Sequence, residues 1–250
     1  MSAGRRSALA AGWRILRALW HILRGAWTIR SEFGQLTPDA TDLVVREWTR
    51  RMLDILGVTL VVRGTPPAHG PLLQVANHIS WLDILVMNGA RPSHFVSKAD
   101  VKHWPVVGTL ATGTGTLYIE RENRRDAMRV VHQMAEHLRG KEILSVFPEG
   151  TTGDGQTLLP FHANLIQAAI AAEAPVLPVG LSFVDAETGQ RHDGPLFIGD
   201  TTLLQSLWNT LRSTGVQAVV HYGEPQRAQG RDRRTWAQDL RTAVMALREG

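Results

Sequence analysis

The chain has no cysteine in its 250 residues, which excludes a disulfide-stapled fold, a thiolate metal site and any mechanism with a thiol nucleophile. Acidic residues are missing from the first 30 positions, where six arginines stand alone: Arg5, Arg6, Arg14, Arg17, Arg24 and Arg30. The positive charge is therefore a property of one tail, because residues 31–250 hold 21 Lys or Arg against 23 Asp or Glu. A general nucleic-acid binder spreads basic residues over its fold, so no nucleic-acid partner is expected; an anionic membrane surface suits the tail. The plainer alternative is a disordered basic tail. A long apolar run is lacking too. Arg14, Arg17 and Arg24 interrupt every window of about 20 residues that a spanning helix needs, and neither the long apolar core nor the small-residue cleavage site of a secretory leader is clear. No repeat or low-complexity tract divides the chain. What remains, 44% hydrophobic and 20% charged, is material for one α/β core.

At about 100° per residue, Ile15, Leu16, Leu19, Ile22, Leu23 and Ala26 share one face of a helix, and Arg14, Arg17, His21 and Arg24 the other. Trp13, Trp20 and Trp27 recur every seven residues near the seam, where an indole places its ring against acyl chains and its N–H among headgroups. The expectation is an amphipathic helix lying in a membrane surface, with Trp13, Arg17, Trp20, Arg24 and Trp27 in contact with lipid. The competing reading packs the apolar stripe on the protein itself. A second helix is expected from the Thr37-Pro38 cap to about Leu56, giving an N-terminal helical segment over residues 1–57 before a domain over residues 58–250.

From Val58 onward, short β-branched runs alternate with helical patterns, the mark of an α/β fold with one sheet and crossover helices. Strands are expected at Val58 to Arg63, Leu72 to Ala76, His94 to Ser97, Gly115 to Ile119, Ile143 to Phe147, Val176 to Phe183 and Val216 to Tyr222. Helices are expected at Trp81 to Asn88, Arg124 to Arg139, Asn164 to Ala172, Thr202 to Arg212 and Arg231 to Arg248. The stretch Gly108 to Gly115 has little signal for either and is expected to be a loop.

Two segments carry chemistry. Asn77-His78-Ile79-Ser80-Trp81-Leu82-Asp83 follows a strand and opens a helix, the position where open α/β sheets place ligands. A carboxylate at Asp83 bonded to one ring nitrogen of His78 would free the other to take a proton from a hydroxyl. Equally, Ser80-x-x-Asp83 has the form of a capping box in which Asp83 only accepts backbone N–H bonds. Phe147-Pro148-Glu149-Gly150-Thr151-Thr152-Gly153 places a carboxylate, two hydroxyls and glycines in one turn. Glu149 would hold a polar acceptor, with Thr151 and Thr152 near a headgroup or oxyanion; read alone, it is ordinary turn chemistry. Lys98 and Arg121, each just past a strand end, are candidate phosphate donors or merely solvated cations. No Gly-x-Ser-x-Gly elbow supplies a nucleophile, and no histidine spacing argues for a metal.

Taken in order, these blocks resemble the glycerolipid acyltransferase family over roughly Leu72 to Leu181. Asn77-His78-x-Ser80-x-x-Asp83 is similar to its His-x4-Asp block, and Gly115-Thr-Leu-Tyr-Ile-Glu-Arg121 to its Gly-x-x-Phe-Ile-x-Arg block. Phe147-Pro-Glu-Gly-Thr151 is similar to its Glu-Gly-Thr block, and Val176-Leu-Pro178-Val179-Gly180 to its late proline-bearing strand. The resemblance implies that His78, oriented by Asp83, deprotonates an acceptor hydroxyl for direct attack on an acyl thioester. It further implies that Arg121, Glu149, Gly150, Thr151 and, with them, Lys98 bind the acceptor's head. Two departures bear on that head: Thr152 stands where phosphatidate-forming members commonly carry Arg, and His162-Ala163-Asn164 where they carry a basic residue and then Gly. Both resemble the branch that acylates lyso-ornithine lipid.

The expectation is thus an O-acyltransferase moving a fatty acyl group from acyl-CoA or acyl-ACP to a lysolipid, 1-acyl-sn-glycerol 3-phosphate first and lyso-ornithine lipid as the alternative. No metal or organic cofactor is expected. Its partners would be membrane lipids, the lysolipid, and acyl carrier protein or coenzyme A thioester, at the cytoplasmic face of an inner membrane, in the manner of a monotopic protein. Rivals are a lipid hydrolase using water at the same dyad and a non-catalytic lipid-binding protein on the same fold.

Overall fold

The computed structural model describes residues 4–120 and 124–250. Seven strands, β1 (Val58–Arg63), β2 (Leu72–Ala76), β3 (His94–Lys98), β4 (Leu117–Ile119), β5 (Ile143–Val146), β6 (Val176–Asp185) and β7 (Val216–Tyr222), form one sheet of order β1-β7-β6-β2-β5-β3-β4. Strands β2 to β6 run parallel to one another; β7 turns antiparallel against β6, and β1 follows β7. This is the expected α/β fold with a single mixed sheet. Strand β2, at its centre, is buried along its whole length, because helices cover both faces and a parallel strand so placed must be apolar on both sides.

The helices are α1 (Ala8–Ser31), α2 (Pro38–Leu56), α3 (Leu82–Ala90), α4 (Val107–Gly113), α5 (Arg124–Arg139), α6 (Ala163–Ala171), α7 (Leu203–Arg212) and α8 (Arg233–Glu249). Helix α2 begins as its sequence asks, with the Thr37 hydroxyl accepting the Ala40 N–H and Pro38 in the first turn, and ends at Gly57 with φ +77°. One expectation fails: the stretch 108–115 is not a loop, since α4 occupies most of it. Its Gly and Thr residues are poor helix formers, and packing supplies what propensity lacks. Gly108 sits against the Lys102 carbonyl and Gly113 against Ile29 of α1, so closely that a Cβ at either place would collide.

One core lies on the α2/α3 side of the sheet, built from Met52, Leu53, Leu56, Leu82, Val86, Phe95, Leu181 and Val220 among others; a second on the opposite side joins Leu73, Val75, Met134, Leu138, Ile166, Trp236 and Leu240. Packing crosses residue 57, since Ala11 and Ala18 of α1 belong to the first core.

Helix α1 departs from the faces read off its sequence. It docks through a narrow seam of small residues, Ala11, Ala18, Gly25 and Ala26, with Ile15 and Ile22 beside them. Gly25 lets Trp48 of α2 close in, and a Cβ there would stand 2.4 Å from the indole nitrogen. Arg14 and His21, placed by periodicity on the solvent side, face inward instead: Arg14 donates to the Ile55 carbonyl at 2.9 Å, and His21 stacks on Trp48 at 4.8 Å. Trp48 Nε1–H donates to the His21 carbonyl at 3.0 Å, while His21 Nε2 meets the Trp48 carbonyl at 2.8 Å. Desolvation lowers the His21 pKa, with Arg24 and Arg51 adding to it and the bond to the Trp48 carbonyl opposing it. Leu16, Leu19 and Leu23 are left in solvent beside Trp13, Trp20 and Trp27, all more than half exposed. No helix among the described residues is long and apolar enough to cross a membrane.

Candidate active site

Residues 77–83 leave the carboxyl end of β2 between its neighbours β5 and β6. Asn77 fixes the start of the turn by mimicking a strand: its side chain donates to the Leu181 carbonyl at 3.0 Å and accepts the Leu181 N–H at 2.7 Å. His78 comes next. Its Nδ1 lies 2.7 Å from Asp83 Oδ2, and its ring stacks on Phe147 with centroids 4.1 Å apart and planes 9° from parallel. Asp83 is fully buried, and the His78 side chain is 19% exposed.

The same Oδ2 accepts the backbone N–H groups of Ile79 at 2.6 Å and Ser80 at 2.9 Å. The two readings of this motif therefore meet in one atom, since Asp83 ties down the turn and orients the ring together. Ser80 does not cap α3. Its hydroxyl donates to the Pro195 carbonyl and accepts the Leu82 N–H. A carboxylate can only accept, so Nδ1, 2.7 Å from the oxygen that already holds the Ile79 and Ser80 amides, carries the ring proton. Nε2, which has no hydrogen-bond partner among the described residues, is left with its lone pair available. Such an imidazole can take a proton from a hydroxyl brought to its open edge.

The turn 147–153 lies directly against this one, though not in the expected manner. Glu149 is 95% buried, and each of its oxygens holds a backbone amide: Oε1 accepts the His78 N–H at 2.7 Å, and Oε2 the Leu159 N–H at 2.8 Å. Burial raises its pKa, while those two amides and the neighbouring His78 pull the other way. It braces the histidine's backbone, a part the sequence reading did not give it. Gly150, at φ +75°, makes the turn and donates to the Phe147 carbonyl. Gly153 closes it by donating to the His78 carbonyl at 2.8 Å. Thr151 is exposed, and its hydroxyl makes no hydrogen bond among the described residues. The Thr152 hydroxyl donates to the Phe197 carbonyl, so it joins this turn to the 193–197 segment.

Lys98 stands at the end of β3 with its side chain 61% exposed and paired to Asp100 at 2.5 Å. Its charge is answered locally. Arg121 lies outside the described residues. The sequence pattern assigns no role to Phe147 or Asn77 and gives no sign of the 193–197 segment; Phe147, just past β5 and immediately before the Pro-Glu-Gly turn, carries a positional signal. The pattern also misses Arg51, which joins Arg17, Trp20, His21, Arg24 and Ile55 around a 200 Å³ cleft between α1 and α2. A larger cavity of 450 Å³ shares Ile79 and Gly155 with the active-site turns, but its Arg63, Arg191 and Arg248 are offset by Asp185 and Glu249, and His78 does not line it.

Comparison with known proteins places these features. A family model described as Acyltransferase matches residues 59–182, the span from β1 to β6 that contains both turns. A 1-acyl-sn-glycerol-3-phosphate acyltransferase of Neisseria meningitidis is 40% identical over 172 residues, 68% of this chain and 67% of that protein. A lyso-ornithine lipid O-acyltransferase of Pseudomonas aeruginosa is 38% identical over 207 residues, 80% of this chain and 76% of that protein. The crystal structure of a 1-acyl-sn-glycerophosphate acyltransferase from Thermotoga maritima superposes with a TM-score of 0.66 over 95% of this chain and 98% of that one. At 19% identity, that likeness speaks for the fold.

Proposed function

Because the chain belongs to the acyltransferase family, we propose that it transfers a fatty acyl group from an acyl thioester to the free hydroxyl of a lysolipid, with His78 as the base and Asp83 as its positioning partner. The single observation that carries this is the bond from His78 Nδ1 to a fully buried carboxylate, with Nε2 left open. Nε2 takes the hydroxyl proton as the oxygen attacks the thioester carbonyl. The new C–O bond forms, the C–S bond breaks, and the departing thiolate recovers the proton from the imidazolium. Asp83, itself fully buried, balances the imidazolium charge. Acyl-CoA and acyl-ACP both satisfy this chemistry as donor.

1-Acyl-sn-glycerol 3-phosphate is the acceptor supported by similarity to the meningococcal enzyme. A lyso-ornithine lipid is the second reading, supported by Thr152: its hydroxyl is engaged by a backbone carbonyl, and no cation stands at that position. Offering both acceptors with one acyl thioester, and reading products by mass spectrometry, separates the two. Free fatty acid released without an acceptor, in place of acylated lipid, would instead identify a hydrolase.

The exposed arc Leu9, Trp13, Leu16, Leu19, Trp20, Leu23 and Trp27 supports monotopic binding, with these side chains among acyl chains. Arg17, Arg24 and Arg51 border its flank at headgroup level. The cytoplasmic face of an inner membrane gives such an enzyme both a poorly soluble acceptor and a soluble thioester.

A further inference from the structure

We propose that His94, His137 and Glu142 form a site for a divalent transition-metal ion, Zn²⁺ by the chemistry of its donors, at the end of the sheet opposite His78. His94 opens β3, His137 lies in the last turn of α5, and Glu142 directly precedes β5. Strands β2, β5 and β3 are parallel, so these residues gather at their amino ends, whereas His78 follows the carboxyl end of β2. The site is therefore separate from the acyl-transfer machinery and does not rest on the function proposed above.

One donor atom from each residue lies within 4.8 Å of the other two. Glu142 Oε2 is 2.7 Å from His137 Nδ1 and 3.2 Å from His94 Nδ1. Tetrahedral ligands at about 2.0–2.2 Å from zinc stand about 3.3–3.5 Å from one another. The His94 contact nearly has that spacing already, and the His137 contact needs to open by about 0.6 Å. Two imidazole nitrogens and a carboxylate oxygen are a donor set that zinc accepts, with water as the fourth ligand. All three side chains are about one third exposed, which leaves a path for ion and water.

Hydrogen bonding alone does not account for the cluster. His137 Nδ1 is bonded to Glu142 Oε2, but His94 Nδ1, although buried, meets that same oxygen at 3.2 Å without making a hydrogen bond to it or to any other described residue. A buried ring nitrogen beside a carboxylate oxygen it does not hydrogen-bond calls for an explanation, and a metal ion shared by the two supplies one. The ring approaches the backbone closely at Gly115, whose φ is +75° and where a Cβ would come within 2.6 Å of His94 Nδ1. A bound ion would pin the carboxyl end of α5 to β3 and β5, and no local motif announces it because the donors come from three elements.

The test uses the full-length protein stripped by chelator and then dialysed against a small excess of ZnCl₂. About one equivalent should be retained by elemental analysis, the melting temperature should rise with zinc concentration, and Co²⁺ should give the intense visible bands of a tetrahedral N/O site. His137→Gln and Glu142→Gln should each weaken retention at least about ten-fold, while His132→Gln, on the exposed side of α5, leaves it unchanged. No retained zinc in the wild-type chain, equal retention by wild type and both site variants, or a weak octahedral cobalt spectrum would overturn the proposal. The wild-type cobalt spectrum decides the matter even if a variant does not fold.

Discussion

Asp83→Asn removes one negative charge from a fully buried position and keeps an oxygen of the same shape, and the structure fixes how the amide must sit. Its oxygen has to take the place of Oδ2, because the reverse rotamer would aim an NH₂ group at the N–H groups of Ile79 and Ser80. The NH₂ then occupies the place of Oδ1, which has no partner among the described residues, and an unsatisfied buried donor costs about 1–3 kcal/mol of stability. With the oxygen retained, His78 keeps its proton on Nδ1, so the variant loses the charge opposite the imidazolium and not the tautomer. Losing that charge is worth about 1.5–4 kcal/mol at the transition state, or about 10- to 1000-fold in kcat/KM. Where an amide forces the imidazole into the wrong tautomer, the loss is on the order of 10⁴. Initial rates of acyl transfer to a lysolipid, with thermal unfolding in parallel, measure both effects. A loss below about three-fold, or one of 10⁴ or more with unchanged stability, would refute this account of the carboxylate.

Two further outcomes follow from the same geometry. Glu149→Gln places an NH₂ group against the N–H of either His78 or Leu159 and should cost about 1–3 kcal/mol of stability. It should also flatten part of the pH dependence: burial raises the Glu149 pKa, so the unfolded chain releases this proton first, and wild-type stability falls as pH rises from the ordinary glutamate value through the raised one. Denaturant melts of both proteins across that window should show the difference, and parallel curves would contradict it. Leu23→Asp alters a side chain 55% exposed on α1, so the melting temperature should stay within a few degrees while partitioning onto anionic vesicles falls at least about ten-fold, from the loss of roughly 1.5–3 kcal/mol of apolar burial. Sedimentation with vesicles measures it, and unchanged binding would remove α1 from the membrane contact.

Much of this molecule is legible in its sequence where local chemistry and tertiary environment agree. All seven strands sit where β-branched runs lie between turn residues, and Thr37-Pro38 and Gly57 mark the ends of α2 as capping rules require. Helix α4 was not legible, because its Gly and Thr residues owe their helicity to Ile29 and Lys102, far away or outside the element. The faces of α1 were misread for a related reason. Periodicity sorts side chains by polarity, whereas docking is decided here by the small seam that admits Trp48, which turns His21 inward and Leu23 outward. At the active site, the His78 and Asp83 pairing follows from their spacing. The part played by Glu149 does not, since its partners are backbone amides 71 and 10 residues away that no side-chain pattern records.

At the centre of this mechanism one imidazole, held through Nδ1, removes the acceptor's proton at Nε2. The most direct measurement compares wild type and His78→Ala for acylated lipid formed from a lysolipid and an acyl thioester, by mass spectrometry, with vesicle binding recorded on the same samples. The account predicts a loss of about 10²–10⁴-fold or more in product formation with vesicle binding intact. Comparable turnover by the alanine variant would contradict it.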